Sequence, residues 1–170
     1  MEKTLYLLLF CASTQCFADT AYIGVDYVLP EMAISNEDVK PKSTALRLGV
    51  SNNNMAFEAQ YLTANEKDNL YRIEFDIEKS AALFFVMQSD VVNGFGLDVS
   101  VGYAQTDITV NGPEETINDE FQYKGFAWGV AMHQDIPYLN STQVRLGYQS
   151  LYDKDDIEIT AISLGFTYQF

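Results

Sequence analysis

The chain ends on Ile162-Ser163-Leu164-Gly165-Phe166-Thr167-Tyr168-Gln169-Phe170. Large apolar side chains alternate strictly with small or polar ones, so in extended conformation this segment has one aromatic, greasy face and one polar face. Chain termini are ordinarily polar and frayed. This one is among the most apolar segments of the sequence, which suggests a final strand laid against lipid.

The same period of two recurs upstream. Ala21, Ile23, Val25, Tyr27 and Leu29 oppose Tyr22, Gly24 and Asp26; Leu46, Leu48 and Val50 oppose Arg47 and Gly49; Phe57, Ala59 and Tyr61 oppose Glu58 and Gln60. Further on, Phe95 to Tyr103 opposes Gly96 to Ala104, Phe126 to Met132 opposes Gly125 to His133, and Val144, Leu146 and Tyr148 oppose Arg145, Gly147 and Gln149. Between the third and fifth strands, Tyr71, Ile73, Phe75 and Ile77 alternate with Arg72, Glu74, Asp76 and Glu78, and Leu83, Phe85 and Met87 continue the odd parity. Splitting this stretch gives nine strands. One long strand from about Leu70 to Gln88 gives eight, the even count expected of a bacterial single-chain membrane barrel.

The first 18 residues read differently. Leu5 to Phe10 is an unbroken apolar run, too short to span a bilayer as a helix, and Cys16-Phe17-Ala18 offers small residues at the −3 and −1 positions of a cleavage site. Residues 1–18 are therefore expected to be a secretory signal peptide and residues 19–170 a single domain. Cys11 and Cys16 leave with the signal, so the domain has no thiol, disulfide or cysteine metal site. Its net charge of −14, unchanged because the signal has one Lys and one Glu, opposes nucleic-acid binding. Eleven Tyr and eleven Phe, with no long apolar run after the signal, exclude a helical membrane protein and indicate an all-β chain.

Dyad-repeat strands with alternating short and long connections fit an eight-stranded antiparallel up-and-down transmembrane β-barrel, because only a closed sheet satisfies its backbone in hydrocarbon. Gly102-Tyr103-Ala104-Gln105-Thr106-Asp107, the glycine-rich sixth strand and the Leu164–Phe170 ending resemble the OmpA/OmpX-type small outer-membrane barrels. That resemblance implies a bacterial outer-membrane location with both termini periplasmic, and turns near Asn53, Asn93 and Pro137 on the periplasmic side. It implies that segments 30–42, 65–69, 109–120 and 153–156 are extracellular. It also implies that the barrel-assembly machinery reads the last strand through Phe166, Tyr168 and Phe170.

Members of the family include adhesins, structural barrels and minor porins, and a few unrelated eight-stranded barrels modify lipid A. The sequence favours a non-catalytic barrel with a structural or adhesin-like surface role, with a small porin-like channel as the alternative and a lipid A-modifying enzyme behind it. His133 is the only histidine and falls near the periplasmic end of the interior, the wrong end for chemistry on outer-leaflet lipid A. No nucleophile elbow, phosphate loop or metal cluster is legible, and no cofactor is expected. The acidic extracellular segments read as a solvated rim; they lack Ca²⁺-loop spacing. A polar, charged face shared with many glycines argues for a polar interior, against an inside-out soluble ligand-binding barrel.

Two groups of residues stand out. Arg47, Glu58, Asp98 and Arg145 are expected in one interior layer near the periplasmic end, with Arg47 directly opposite Glu58, where paired charges would plug a narrow barrel. Tyr71, Ile73, Phe75 and Ile77 are expected to project above the membrane as an apolar contact ridge for a host surface or protein. The other expected partners are outer-membrane lipid and lipopolysaccharide, and the barrel is expected to be a monomer.

Overall fold

The computed structural model describes residues 19–34, 37–39, 41–66, 68–70, 73–111, 118–154 and 157–170; side chains are described except in 33–40, 65–78, 110–120 and 155–156. Ten strands account for nearly all of it: β1 (Thr20–Ile34), β2 (Glu37–Val39), β3 (Lys42–Asn52), β4 (Met55–Glu66), β5 (Asp68–Leu70), β6 (Ile73–Gln88), β7 (Phe95–Asn111), β8 (Asn118–Asp135), β9 (Thr142–Lys154) and β10 (Ile157–Gln169). Eight form the barrel, in the order β1-β3-β4-β6-β7-β8-β9-β10, all antiparallel, and β10 returns to β1. The closing seam pairs Tyr22 with Gln169 and Ile34 with Ile157, and the Phe170 N–H donates to the Ala21 carbonyl at 2.8 Å. The aromatic carboxy-terminus is thus the last rung of closure.

The two remaining strands are continuations. Val28 pairs with Ser43 and Met32 with Val39, a single register, so β2 extends β3. The break falls where Pro41 stands opposite Pro30, two residues with no N–H to give the ladder. Likewise β5 extends β4 along β6. Much of the sequence expected as extracellular loop is therefore paired strand, and β6, β7 and β8 stay paired up to Glu74↔Asn111 and Asn111↔Asn118.

At the other end the connections are tight. Asn53 and Asn93, both with positive φ, and Gly94 make short turns, and Ile136 to Ser141 makes a third. Both described ends of the chain lie at this end.

The polarity of the wall is inverted relative to a soluble barrel. Phe57, Leu83 and Phe166 are 66%, 68% and 60% exposed, whereas Arg47 and Asp26 are 2% and 1% exposed. On β7 the outward apolar run is Phe95 to Tyr103, nine residues and thus one hydrocarbon thickness. Tyr27, Tyr61, Tyr103 and Phe126 lie towards its upper rim, and Phe57, Phe95 and Phe166 towards its lower one. These are the aromatic girdles of a membrane barrel.

Three departures from the sequence expectation matter. First, the β3–β4 turn has two residues rather than four, because Asn53 takes a left-handed conformation; Arg47 is opposite Gln60, and Glu58 opposite Gly49. Second, a bulge at Glu78 breaks the parity of the long fourth barrel strand. Below it Lys79 pairs with outward Asp107; above it Ile77 pairs with Ile108, which is buried, and Phe75 with Val110. The backbone register thus sets Ile77 opposite Ile108 and Phe75 opposite Val110, while Tyr71 lies outside the described residues. Third, among the described residues the interior carries charge only in its lower part. Val28, Met32, Leu62, Ile108, Leu151 and Ile159 fill the upper part as an apolar core.

Candidate functional site

Four strands build one side of the lower interior. In β1, Tyr22, Gly24 and Asp26 share the inward face; in β3 it is Arg47 and Gly49, in β4 Glu58 and Gln60, and in β10 Ser163, Gly165 and Thr167. Three of the large polar side chains lie across a glycine of a neighbouring strand. Gly24 is opposite Arg47, Gly49 opposite Tyr22, and Gly165 opposite Asp26. A Cβ at Gly24 would sit 2.6 Å from Arg47 Nη2, and one at Gly49 would sit 2.1 Å from the Tyr22 ring. The glycines supply the width that lets long side chains lie flat within a narrow lumen.

Arg47 is the centre. Its Nε and Nη2 donate to the two Asp26 carboxylate oxygens at 2.5 and 3.0 Å, a bidentate fork. Nη1 donates to Glu58 Oε2 at 3.1 Å, and Nη2 also to Thr167 Oγ1 at 2.9 Å. The Tyr22 hydroxyl donates to the same Glu58 oxygen at 3.0 Å. A planar guanidinium is suited to hold two carboxylates at once. The sequence reading paired Arg47 with Glu58 and missed Asp26. The missed signal was Asp26 on the inward parity with Gly24 and Gly165 beside it.

Asp98 and Arg145 approach each other loosely, with 3.6 Å between Arg145 Nε and Asp98 Oδ2. His133 joins them, with Nδ1 3.4 Å from Asp98 Oδ1, and its ring lies over Gly96. Neither contact is a hydrogen bond: Asp98 Oδ1, Arg145 Nε and Gln149 Nε2 are buried without protein hydrogen-bond partners. Arg145 borders two small gaps. The lower one is shared with Tyr22, Glu58 and Gln143, the upper with Ser100, Gln149 and Ser163. Each is about the size of one water molecule.

The expected cluster of four is therefore two units: a saturated Asp26–Arg47–Glu58 group with Tyr22 and Thr167, and a looser Asp98–Arg145–His133 group. Such an arrangement obstructs and stiffens the lumen. It has no nucleophile–base pair, and among the described residues no group of three His, Cys, Asp or Glu could hold a metal ion.

Comparison with known proteins agrees with this architecture. The family model described as the outer membrane protein beta-barrel domain matches residues 4–170. No curated protein matches by sequence. Among solved structures, the chain is similar to the attachment invasion locus protein Ail of Yersinia pestis in complex with the heparin analogue sucrose octasulfate, with a TM-score of 0.68, 13% identity, and 91% of this chain and 100% of that one covered. It is similar to Neisserial surface protein A (TM-score 0.65, 12% identity, 88% and 97% covered). It is also similar to the N-terminal β-barrel domain of Pseudomonas aeruginosa OprF (TM-score 0.61, 14% identity, 90% and 98% covered).

Proposed function

Because the chain belongs to the outer membrane protein beta-barrel domain family, we propose that it is a non-catalytic surface barrel of the bacterial outer membrane that uses its projecting strands, not its lumen, to make contacts. The observation that carries this reading is the continuation of paired strands beyond the lipid-facing band, from Thr109↔Glu120 to Asn111↔Asn118 on β7–β8 and from Glu31↔Thr160 to Ile34↔Ile157 on β1–β10. Paired strands above the membrane cost backbone order that transport does not need, and they present a rigid surface. In this reading the termini and the turns at Asn53, Asn93 and Pro137 are periplasmic, the signal at residues 1–18 directs export, and Phe166, Tyr168 and Phe170 are read by the assembly machinery.

The charge of this surface sets the class of partner. Ail was solved with a polyanionic sugar. Here the net charge is −14 and the extended strands carry Glu37, Asp38, Asp68, Glu74 and Asp153, so the expected partner is a basic host protein surface. The test is retention of the folded protein on cationic and on heparin-coated surfaces across a salt series. Salt-sensitive retention on the cationic surface alone supports the reading; retention on heparin contradicts it.

The small-channel alternative draws on one feature, the loose Asp98–Arg145–His133 group with its buried orphan atoms. A network with unsatisfied members can re-pair.

A further inference from the structure

Directly above the lipid-facing band, the outward wall of β6, β7 and β8 becomes polar in two successive rows. The lower row sets Gln105 opposite Lys124; the upper sets Lys79, Asp107 and Gln122 side by side. Beneath them Tyr103 pairs with Phe126, which are 57% and 65% exposed. Rows two residues apart along a strand are separated by ~7 Å, so the polar patch begins one step above the apolar wall, at the depth of lipid headgroups.

Within the patch the charges are unequally used. Asp107 accepts from Gln122 Nε2 at 2.8 Å and holds Lys79 Nζ at 3.4 Å. Lys124 is exposed, and among the described residues no acid pairs with it. Among the described bases, Arg47 and Arg145 lie inside the barrel and Lys79 is held by Asp107, so an unpaired outward Lys124 over an aromatic floor stands apart. Its stem can lie along the aromatic surface while its ammonium reaches up to an anion.

We propose that this wall seats the phosphorylated headgroup of an outer-leaflet glycolipid. Lys124 contacts a phosphate, Lys79 adds a second charge at the price of loosening Asp107, Gln105 and Gln122 hydrogen-bond the sugars, and Tyr103 and Phe126 pack against the upper acyl chains. The remainder of the acidic surface repels anions, which confines the phosphate to this wall. The occupant follows from the position of the patch: a phosphate on a sugar headgroup continuous with acyl chains meets amines, amides and aromatics in that order.

The test uses the refolded full domain in neutral detergent micelles with EDTA present, so that no divalent ion bridges the partners. Fluorescence titration compares purified bisphosphorylated lipid A with its dephosphorylated form. A lysine near a charged lipid surface contributes about fivefold in affinity. The phosphorylated lipid should therefore bind at least severalfold more tightly, Lys124→Gln should lose about fivefold of that preference, and Lys124→Arg should keep it. Equal affinity for the two lipids, or a preference untouched by Lys124→Gln and Lys79→Gln, overturns the seat. The outer-leaflet assignment rests on the orientation proposed above and is tested separately by labelling Asp153→Cys on intact cells with an impermeant maleimide. Labelling supports it, and protection overturns the leaflet assignment without touching the micelle result.

Discussion

Arg47 holds two carboxylates at once, so the members of its cluster are not equivalent. Arg47→Met strands Asp26 and Glu58 together inside the barrel, and removing one partner from a buried ion pair costs ~3–5 kcal/mol. Glu58→Gln leaves Asp26 on the guanidinium and keeps an acceptor for Tyr22, so a smaller loss of about 1–3 kcal/mol is expected. Adding Glu58→Met to Arg47→Met should recover only part of the loss, because Asp26 is still stranded. Urea unfolding in lipid vesicles ranks the three; an Arg47→Met variant no weaker than Glu58→Gln would show that Asp26 is not held as described. Outside the membrane band, the Gln122 amide and then the Lys79 ammonium hold the Asp107 carboxyl below its ordinary range. A depressed carboxylate contributes stability that is present above the unfolded value and is lost as pH falls through the lower folded one. Its ¹³C titration midpoint should rise in Gln122→Ala; an unmoved midpoint would remove Gln122 as the cause. At this scale the sequence announced the residue types and the Arg47–Glu58 pair, but not the second carboxylate on Arg47. Asp26 looked like one more inward polar group, and whether Arg47 meets it depends on the β1–β3 register, which sets Gly24 opposite Arg47 and Asp26 one inward step along.

The strands were legible because alternation is a local property, and their ends and bulges were not. The bulge at Glu78 joins two stretches that both carry large apolar residues at odd positions, so the register shift leaves no break in that pattern. Two signals were nevertheless present: Glu74, Asp76 and Glu78 would otherwise fall on the interior parity, and Phe84 and Val86 already made the lower even face apolar. The register makes opposite expectations for two neighbours. Asp76→Cys should be labelled by an impermeant thiol reagent on whole cells and Phe75→Cys protected; the reverse would restore an outward apolar ridge. The carboxy-terminal strand carries its own prediction. Because the Phe170 N–H closes the seam to Ala21 and its ring extends the aromatic face, Phe170→Ser should sharply reduce folded protein in the outer membrane while leaving export intact. Normal folded levels would detach the terminal aromatic from assembly.

As a whole the molecule is a closed wall, greasy outside, with a charged lower interior and an apolar upper one. The alternation told that one face meets lipid, but it did not show that the interior changes character partway up. Val28, Met32 and Leu62 sit on the same parity as Asp26 and Glu58, and only closure of the sheet turns that parity into an apolar plug above a polar one. With both halves filled, the purified protein should give no large steady conductance in a planar bilayer, and Asp98→Ala, which frees Arg145, should admit small events before any substitution at Arg47 does. The claim beneath all of these is that this acidic, aromatic-rich chain closes through lipid rather than around a soluble core. Fractionated cells run on a gel with and without boiling test it most directly. A barrel closed through lipid gives a band in the outer-membrane fraction whose unboiled form migrates apart from the boiled one; a soluble protein with identical migration in both samples would refute closure through lipid.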